Sequence, residues 1–253
     1  MNIQYWKNDA TLVAATTLQD QAMLEANNLA LHVSGNIKDI IANRQVLCDT
    51  LKISLQQWVL ANQTHSDHVY KVEKKDQGKG SLDQESAIRD CDALYTFEQN
   101  LLIGVFTADC VPLLLYDESA HMICAIHSGW QGTVKEITKK VLHQLIHKEH
   151  LNPANFKAII GPSINYEHLE VGLEVVDQVK AMSFDTTNFI TYKENGKALI
   201  DNKGLNKVML LEAGVKAENI IVSPLDTLEN DPRLFSYRRN HACGRHLSFI
   251  MMK

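Results

Sequence analysis

The sequence predicts a single mixed α/β domain, with strands at its centre and helices outside. Three observations lead to this prediction. Short apolar runs bounded by polar residues have the length of buried strands, and longer segments repeat apolar residues every three or four positions, as amphipathic helices do. No Pro-, Gly- or Ser-rich linker divides the chain, so residues 1–253 are expected to form one domain.

The individual elements follow from these patterns. The predicted strands are the apolar runs 101–106, 111–116, 122–126, 157–160, 220–223 and 247–252. The predicted helices are the periodic segments 21–30, 38–60, 133–147, 171–182 and 203–213. The polar, Gly-bearing stretch 71–86 is predicted as a long loop. Because strands and helices do not alternate regularly, a mixed sheet is favoured over a purely parallel one.

Composition narrows the class of protein. The net charge of −5 argues against a nucleic-acid partner, which would require a basic face. No apolar run approaches the roughly 18 residues of a membrane span, and the N-terminus lacks the pattern of a signal peptide. The five cysteines are odd in number and irregularly spaced, which favours a reducing compartment over a disulfide framework. We therefore expect a soluble cytoplasmic protein, monomeric or homodimeric, without nucleic-acid or membrane partners.

Three residues form a candidate metal site. His65, Cys110 and His127 each lie at the end of an apolar run, where a fold projects side chains from a fixed backbone into a cleft. Two imidazoles and a thiolate suit zinc, and three protein ligands leave a fourth position for water or substrate. The spacing alone is a weak signal, because the ligands are far apart and the chain contains 11 histidines. Hydrogen-bonded structural histidines and an inert buried Cys110 remain the alternative.

Six motifs, in order from about residue 40 to the C-terminus, resemble those of the YfiH family. They are Gln63-x-His65, Gly104-Val-x-Thr-Ala-Asp-Cys110-Val-Pro, Ala125-Ile-His127-x-Gly129-Trp130-x-Gly132, Ile160-Gly-Pro-Ser-Ile164, Tyr166 with Glu170-Val-Gly172, and Ser236-Tyr-Arg-Arg239 with Gly244-Arg245. This family is also called the laccase-domain, multicopper polyphenol oxidase or purine nucleoside phosphorylase family. The blocks around Cys110 and His127 are the most specific.

The resemblance implies a fold, a metal and an activity. The fold is a four-layer α/β/β/α sandwich, and the zinc ligands of the family map onto His65, Cys110 and His127. The activity is phosphorolysis of adenosine, inosine and S-methyl-5′-thioadenosine, with inorganic phosphate as co-substrate, together with deamination of adenosine. Copper, which an older description of the family as laccases invokes, is disfavoured because multicopper centres need more histidine ligands.

Two acidic residues accompany Cys110 as candidate catalytic residues. Asp92 matches an aspartate of the family, and Asp109 directly precedes the thiol. Either carboxylate is expected to orient a ligand imidazole, although Asp109 is equally suited to capping a turn.

Four residues are candidates for binding substrate or phosphate. Arg44 stands where the family has an arginine, although a surface helix arginine is the alternative, and Gln63 opens the first motif. Arg238 and Arg239 are adjacent, so at most one of them is expected to enter the site from an extended segment. Gln131 replaces an arginine usual in the family, and glutamine cannot bind phosphate as a bidentate cation.

Three aromatic residues are candidates for stacking on a purine, and other activities are compatible with the same motifs. Trp130, Tyr166 and Phe235 are either purine-stacking residues or core residues. The Cys110–His127 pair is also compatible with a metal-free cysteine hydrolase or deamidase, or with a hydrolase that edits peptidoglycan precursors. A copper polyphenol oxidase is the least favoured alternative.

Overall fold

The computed structural model describes residues 1–33, 35–229 and 231–253, and it confirms the predicted mixed α/β fold. The strands are β1 (Ile3–Asn8), β2 (Leu12–Thr17), β3 (Trp58–Leu60), β4 (Val69–Lys71), β5 (Ala93–Thr96), β6 (Leu102–Thr107), β7 (Val111–Asp117), β8 (Met122–Ser128), β9 (Lys157–Ile160), β10 (Glu170–Val171), β11 (Ile190–Tyr192), β12 (Ala198–Ile200), β13 (Ile220–Val222) and β14 (His246–Met252). The α-helices are α1 (Ile37–Leu51), α2 (Trp130–Val134), α3 (Ile137–His143), α4 (Leu173–Lys180) and α5 (Asn202–Glu212).

The strands form two large sheets and one small one. The first sheet has the order β1-β2-β14-β6-β3, the second β13-β9-β7-β8-β5-β4, and the third β10-β12-β11. Most neighbours are antiparallel, while β3 pairs with β6, β4 with β5 and β13 with β9 in parallel. The sheets are therefore mixed, as the irregular order of elements along the sequence predicts.

The main core lies between the two large sheets. Ile103 and Val105 of β6 pack there with Leu114 of β7 and Ile123 of β8. The alternate β6 residues Leu102 and Phe106 join a second cluster that includes residues of α1. Both faces of β6 are thus buried, which explains why its sequence reads as a continuous apolar run rather than an alternating one.

Helices also cover the outer face of the second sheet. Leu113 of β7 and Cys124 of β8 share a buried cluster with Val141 of α3 and Leu210 of α5. The small third sheet and α4 have a separate cluster, which contains Val176 among its buried residues. The third sheet and α4 are not part of a simple sandwich of two sheets between two helical layers. The four-layer architecture therefore stays a prediction.

Near the N-terminus the helix predicted over 38–60 is found only as far as Leu51, and the helix predicted over 21–30 is wrong. The periodicity of 38–60 spans a helix and a strand: α1 ends at Leu51, Lys52 adopts a left-handed φ of 58°, and β3 follows. Buried apolar residues on both elements imitate one continuous helical stripe. In 21–30 only a 3-10 turn at Leu24–Asn27 forms, with positive φ at Glu25, Ala26 and Asn27.

The other predicted elements are found with small changes of boundary, except that 133–147 is not one helix. Glu136 has a left-handed φ of 57° and separates α2 from α3, and the last turn, Gln144–Lys148, is a π-helix. Strands β1 to β5 and β10 to β12 were not predicted from the sequence. Among the described helices, none combines the length and apolarity needed to cross a membrane.

Candidate metal centre

Strand pairing brings the three predicted metal ligands together. Cys110 directly precedes β7, and in the antiparallel β7–β8 pair Pro112 lies opposite His127. The loop after β3 carries His65. One ligand atom from each of the three residues lies within 4.8 Å of the other two, and the Cys110 Sγ to His65 Nε2 distance is 3.8 Å. Residues separated by 62 positions therefore form one compact cluster.

The side chains of Cys110 and His65 leave no room for a Cβ atom at Gly129. A Cβ at this position would lie 2.8 Å from Cys110 Sγ and 2.9 Å from His65 Cδ2. His65 itself has a left-handed φ of 58°, and its carbonyl oxygen accepts a hydrogen bond of 2.7 Å from Lys135 Nζ. The glycine of the Gly129-Trp130 pair thus has a steric reason.

A buried carboxylate orients the site from the other side of β8. Strand β5 pairs with β8, which places Asp92 beside His127, and His127 Nδ1 donates a 2.7 Å hydrogen bond to Asp92 Oδ1. Asp92 also accepts hydrogen bonds from the backbone N–H groups of Thr64, His65 and Ser66. Burial would raise the pKa of Asp92, but these donors hold it at about 2. His127 is thereby fixed with its proton on Nδ1, which leaves Nε2 as the ligand atom.

The electrostatics favour a thiolate at Cys110. Burial would raise the pKa of the thiol, but the neighbouring His127 and His65 outweigh burial and lower the pKa to about 6. Burial would likewise lower the pKa of His127, whereas Cys110 and Asp92 raise it to about 9. Without a metal, Cys110 and His127 therefore form a pair of thiolate and imidazolium. A bound metal cation would take the place of the proton that this pair shares. A thiolate and two oriented imidazoles fit Zn²⁺.

Two cavities open on the cluster. The Trp130 cavity, of about 380 Å³, is bordered by Trp130, Ile164 and Leu169 and is mostly apolar. The Arg245 cavity, of about 360 Å³, is bordered by Thr107 and Arg245. His65, Ala108, Cys110 and Tyr237 border both cavities. The candidate metal centre thus lies at the junction of two mostly apolar cavities, of which the second also contains the guanidinium-bearing Arg245.

Tyr237 stands between the two cavities. Its ring stacks on His241, with centroids 4.5 Å apart and an interplanar angle of 25°. The guanidinium carbon of Arg245 lies 5.4 Å from the centroid of the Tyr237 ring. On the far side of the Arg245 cavity, His32 packs on Phe106, and partial burial together with the charge of Arg245 lowers its pKa. At neutral pH His32 is therefore an uncharged imidazole.

Arg44 is not at the site, contrary to the sequence prediction of a phosphate ligand. The side chain is 1% exposed and packs near the ring of Trp58. Its guanidinium donates to the carbonyl oxygens of Leu29, Gly80 and Ser81 at 2.7 to 2.8 Å. Since these carbonyls occupy the guanidinium donors and no channel exposes them, Arg44 joins α1 to the loop after β4.

Gln63 and Asp109 border the cavities, but their polar atoms are already paired. The Gln63 amide exchanges two hydrogen bonds with the backbone of Phe106, at 2.9 and 2.7 Å. Asp109 accepts from Thr227 Oγ1 and from the backbone N–H of Arg238. It therefore does not orient a ligand imidazole, and Asp92 alone has that contact. The two side chains hold the strand ends that carry the site.

The adjacent arginines separate as expected, although they lie in a turn rather than an extended segment. Arg238 borders the Trp130 cavity and donates to the carbonyl oxygens of His168 and Glu170 at 3.1 and 3.0 Å. Arg239 instead borders a polar cavity of about 440 Å³ that contains none of the three ligands. Its guanidinium donates to backbone carbonyls there, including that of Glu229 at 2.8 Å. Arg239 is thus not a site residue.

Sequence reasoning missed several residues that border the cavities. Thr107 lies inside a recognised motif and Arg245 closes another, yet neither was selected as a site residue. Tyr237 and His32 carry no sequence signal that separates them from other aromatic residues. Of the predicted stacking residues only Trp130 borders one of the two cavities at the cluster. Tyr166 pairs with Thr191, and Phe235 packs on His246 and borders the cavity of Arg239.

Comparisons with known proteins place these features in a family. Residues 16–253 match the family described as "Multi-copper polyphenol oxidoreductase laccase". The purine nucleoside phosphorylase YlmD of Bacillus subtilis is 36% identical, over 99% of this chain and 94% of that protein. The adenosine deaminase RL5 of an unknown prokaryotic organism is 34% identical, over 84% of this chain and 81% of that protein.

A solved structure agrees with the fold. The crystal structure of the Bacillus licheniformis hypothetical protein YfiH superimposes with a TM-score of 0.91 at 31% sequence identity. The match covers 96% of this chain and 93% of that chain. Both sequence and structure are therefore similar over nearly the whole length.

Proposed function

We propose that this chain, which belongs to the multi-copper polyphenol oxidoreductase laccase family, is a zinc-dependent purine nucleoside phosphorylase that also deaminates adenosine. The observation that carries the proposal is the His65, Cys110 and His127 cluster, whose ligand atoms lie within 4.8 Å of one another beside an apolar cavity. The relatives named as phosphorylase and deaminase support the two activities. Adenosine, inosine and S-methyl-5′-thioadenosine are the proposed substrates.

The two reactions make different demands on the site. In phosphorolysis, an oxygen of hydrogen phosphate bonds to C1′ as the C1′–N9 bond breaks, and the purine takes the electron pair and the phosphate proton. The products are the free base and ribose 1-phosphate, or its 5-methylthio analogue. In deamination, water adds at C6 of adenine and ammonia leaves, which gives inosine. Only the first reaction consumes phosphate, so the products distinguish the two activities.

The chain's own residues have separable roles in this proposal. His65, Cys110 and His127 hold the metal, and a bound zinc supplies Lewis-acid catalysis. Asp92 is a positioning residue, because it acts through the tautomer and orientation of His127. The indole of Trp130, with Ile164 and Leu169, gives the purine a wall on which to bind by stacking and apolar contact.

A metal-free cysteine hydrolase or deamidase is the second candidate, and one observation favours it. The Cys110 thiol has a pKa of about 6 beside His127, whose other nitrogen is bonded to Asp92. This order of thiolate, imidazole and carboxylate is that of cysteine nucleophiles. A hydrolase that edits peptidoglycan precursors belongs to the same class. A copper oxidase is disfavoured, since in the described chain His65, Cys110 and His127 are the one group of three or more side chains with metal-ligand spacing.

The compartment also follows from the thiols. The five cysteines are all free, including Cys110, whose role as a ligand or nucleophile requires the reduced state. A reducing environment such as the cytoplasm is therefore proposed for the active protein.

The experiment combines metal content with product analysis. Purified protein is assayed for bound metals and for products from adenosine, inosine and S-methyl-5′-thioadenosine, with and without phosphate. We expect about one zinc per chain, phosphate-dependent release of adenine and hypoxanthine, and some inosine from adenosine. His127→Ala should lose both zinc and activity, whereas His68→Ala, at an exposed histidine outside the cluster, should lose neither.

The outcomes separate the candidates. Bound zinc without turnover of any of the three nucleosides would overturn the proposal. Activity that survives a chelator but is abolished by alkylation of Cys110 would instead support the metal-free hydrolase. Stoichiometric copper with oxygen consumption in the presence of phenols would support the oxidase.

A further inference from the structure

We infer that the Arg245 cavity is the oxyanion compartment of this site, in which Arg245 and Thr107 bind the inorganic phosphate that attacks the nucleoside. The inference deepens the proposed phosphorylase function and rests on it. It assigns phosphate to one side of Tyr237 and the nucleoside to the other, in the Trp130 cavity.

The strand pairing places the two donors side by side. In the antiparallel pair of β6 and β14, Thr107 lies opposite His246, so Arg245 directly precedes the partner of Thr107. Both residues border the Arg245 cavity, next to Cys110 and His127. An arginine and a threonine, adjacent across two paired strands, therefore border one cavity at the edge of the candidate metal centre.

Thr107 has a hydroxyl without a protein partner. The residue is 1% exposed, and its Oγ1 is one of the few buried side-chain oxygens that make no hydrogen bond within the described chain. An unpaired hydroxyl in the interior is unfavourable, because it has lost its hydrogen bonds to water without gaining others. Because the residue borders the cavity, a ligand oxygen bound there would satisfy the hydroxyl.

Arg245 is held in place while part of its guanidinium stays available. Nη1 donates to the carbonyl oxygens of Cys243 and Gly244, at 2.6 and 3.0 Å. Within residues 1–33, 35–229 and 231–253, Nε and Nη2 make no hydrogen bond, and no carboxylate lies within salt-bridge distance of the guanidinium. An anchored guanidinium with two free donors matches the geometry of a phosphate edge.

The charges of the two cavities decide which one receives the anion. The described residues that border the Arg245 cavity include no carboxylate. The Trp130 cavity contains Asp109, and the terminal nitrogens of its arginine, Arg238, donate to backbone carbonyls. A dianion is therefore disfavoured in the Trp130 cavity, whereas a flat purine is favoured by its apolar wall.

The assignment of phosphate and nucleoside to separate cavities also suits the direction from which phosphate attacks C1′. The phosphate oxygen approaches C1′ from the side opposite the departing base, so the two must lie on either side of the ribose. The cavities meet at His65, Ala108, Cys110 and Tyr237, which places the ribose at their junction. Gln131, which replaces an arginine usual in the family, borders neither cavity, so its identity does not prevent phosphate binding here.

The test compares kinetic constants for phosphate and nucleoside. For phosphorolysis of inosine, Arg245→Gln should raise the KM for phosphate about 10- to 100-fold, the loss expected for hydrogen bonds to a charged group. Thr107→Val should raise it severalfold, and Arg245→Lys should recover part of the loss. Arg238→Gln should change the KM for inosine rather than that for phosphate. Zinc content should stay at the wild-type level in Arg245→Gln, because Arg245 is not one of the three candidate ligands.

Titration calorimetry with inorganic phosphate separates this inference from the proposed function. Binding to the wild type but not to Arg245→Gln supports the phosphate compartment even if the wild type releases no purine base. Wild-type affinity and wild-type KM for phosphate in both Arg245→Gln and Thr107→Val would overturn it. A wild-type protein that neither binds phosphate nor releases base would overturn both proposals.

Discussion

Asp92 and His127 form a buried hydrogen bond of 2.7 Å that connects the candidate metal centre to the loop of a second candidate ligand, His65. The same carboxylate accepts from the backbone N–H groups of His65 and Ser66, at 3.2 and 2.7 Å. One side chain thus fixes the imidazole of His127 and the loop conformation that presents His65. The geometry of two of the three ligands depends on it.

Asp92→Asn should therefore weaken zinc binding without removing any ligand. The amide keeps one acceptor oxygen, but its NH₂ group cannot accept from His127 or from the N–H groups of the loop. We expect a loss of about 10- to 100-fold in zinc affinity, the range for partners that orient ligands, measured by competition with a chromogenic chelator. Asp83→Asn, at an exposed loop carboxylate, is the control. Equal affinity in the two variants would contradict the role of Asp92.

A methyl group at position 129 should damage the site by a different route. In Gly129→Ala the new Cβ would lie 2.8 Å from Cys110 Sγ, so either the thiol or the backbone must move. We expect loss of stoichiometric zinc with the far-ultraviolet circular dichroism spectrum retained. Gly132→Ala is the matched control, because its Cβ would have no neighbour closer than 3.4 Å. A Gly129→Ala protein with a full complement of metal would show that the close approach is unimportant.

The reactivity of Cys110 in metal-free protein should follow its depressed pKa. The thiolate fraction, and with it the rate of alkylation by iodoacetamide, should rise with pH and reach half its maximum near pH 6, because His127 and His65 overcome the effect of burial. In His127→Ala the midpoint should move to higher pH. Mass spectrometry of the Cys110 peptide gives the rate, and zinc should protect the residue. A wild-type midpoint near that of an ordinary thiol would contradict the electrostatic description.

The sequence predicted that His65, Cys110 and His127 lie together, but it predicted little of what surrounds them. Apolar runs that form β7 and β8 lie next to Cys110 and His127, and their length is that of buried strands. The pairing of strands that are distant in the sequence leaves no such pattern. Thr107 and Arg245 meet only because β6 pairs with β14, two strands that are separated by more than 130 residues.

Arg44 shows the same limit, since its contacts also depend on residues that are distant in the sequence. Arg44 lies on a helix as predicted, but its burial depends on backbone carbonyls that come from the turn before α1 and the loop after β4. Nothing local in the sequence predicts which carbonyls a guanidinium will meet. The merged helix prediction over 38–60 fails for a related reason, since the stop at Lys52 is a left-handed residue that is not glycine.

Arg44 should accordingly matter for stability and not for phosphate. Arg44→Met removes the donors to three buried carbonyl oxygens, and we expect the free energy of unfolding to fall by about 3 kcal/mol or more. The KM for phosphate of the folded variant should stay unchanged. Urea denaturation measures the first quantity, with the exposed Arg89→Met as control. A stable variant with a raised KM for phosphate would restore Arg44 as a phosphate ligand.

Acid should destabilise the fold through His246, which lies at the start of β14 beside the proposed phosphate compartment. The imidazole is buried, its Nδ1 bonds to the Thr17 carbonyl, and its Nε2 accepts from the backbone N–H of Phe235. Burial lowers its pKa to about 4, whereas the unfolded chain binds the proton near pH 6.5. The unfolded state therefore binds more protons between these values, and the contribution to stability, complete above pH 6.5, is lost as the pH falls toward 4.

One variant isolates the contribution of His246 to the loss of stability in acid. Between pH 7.5 and 5 the loss attributable to a single such histidine is about 2 kcal/mol, which follows from 1.36 kcal/mol per pH unit below the pKa of the unfolded state. In His246→Gln the amide can donate to Thr17 and accept from Phe235 without titrating, so its free energy of unfolding should fall less over the same interval. Urea denaturation of metal-free protein at both pH values measures the difference. Parallel losses in wild type and variant would mean that His246 is protonated in the folded state, and the neutral hydrogen-bond assignment would then fail.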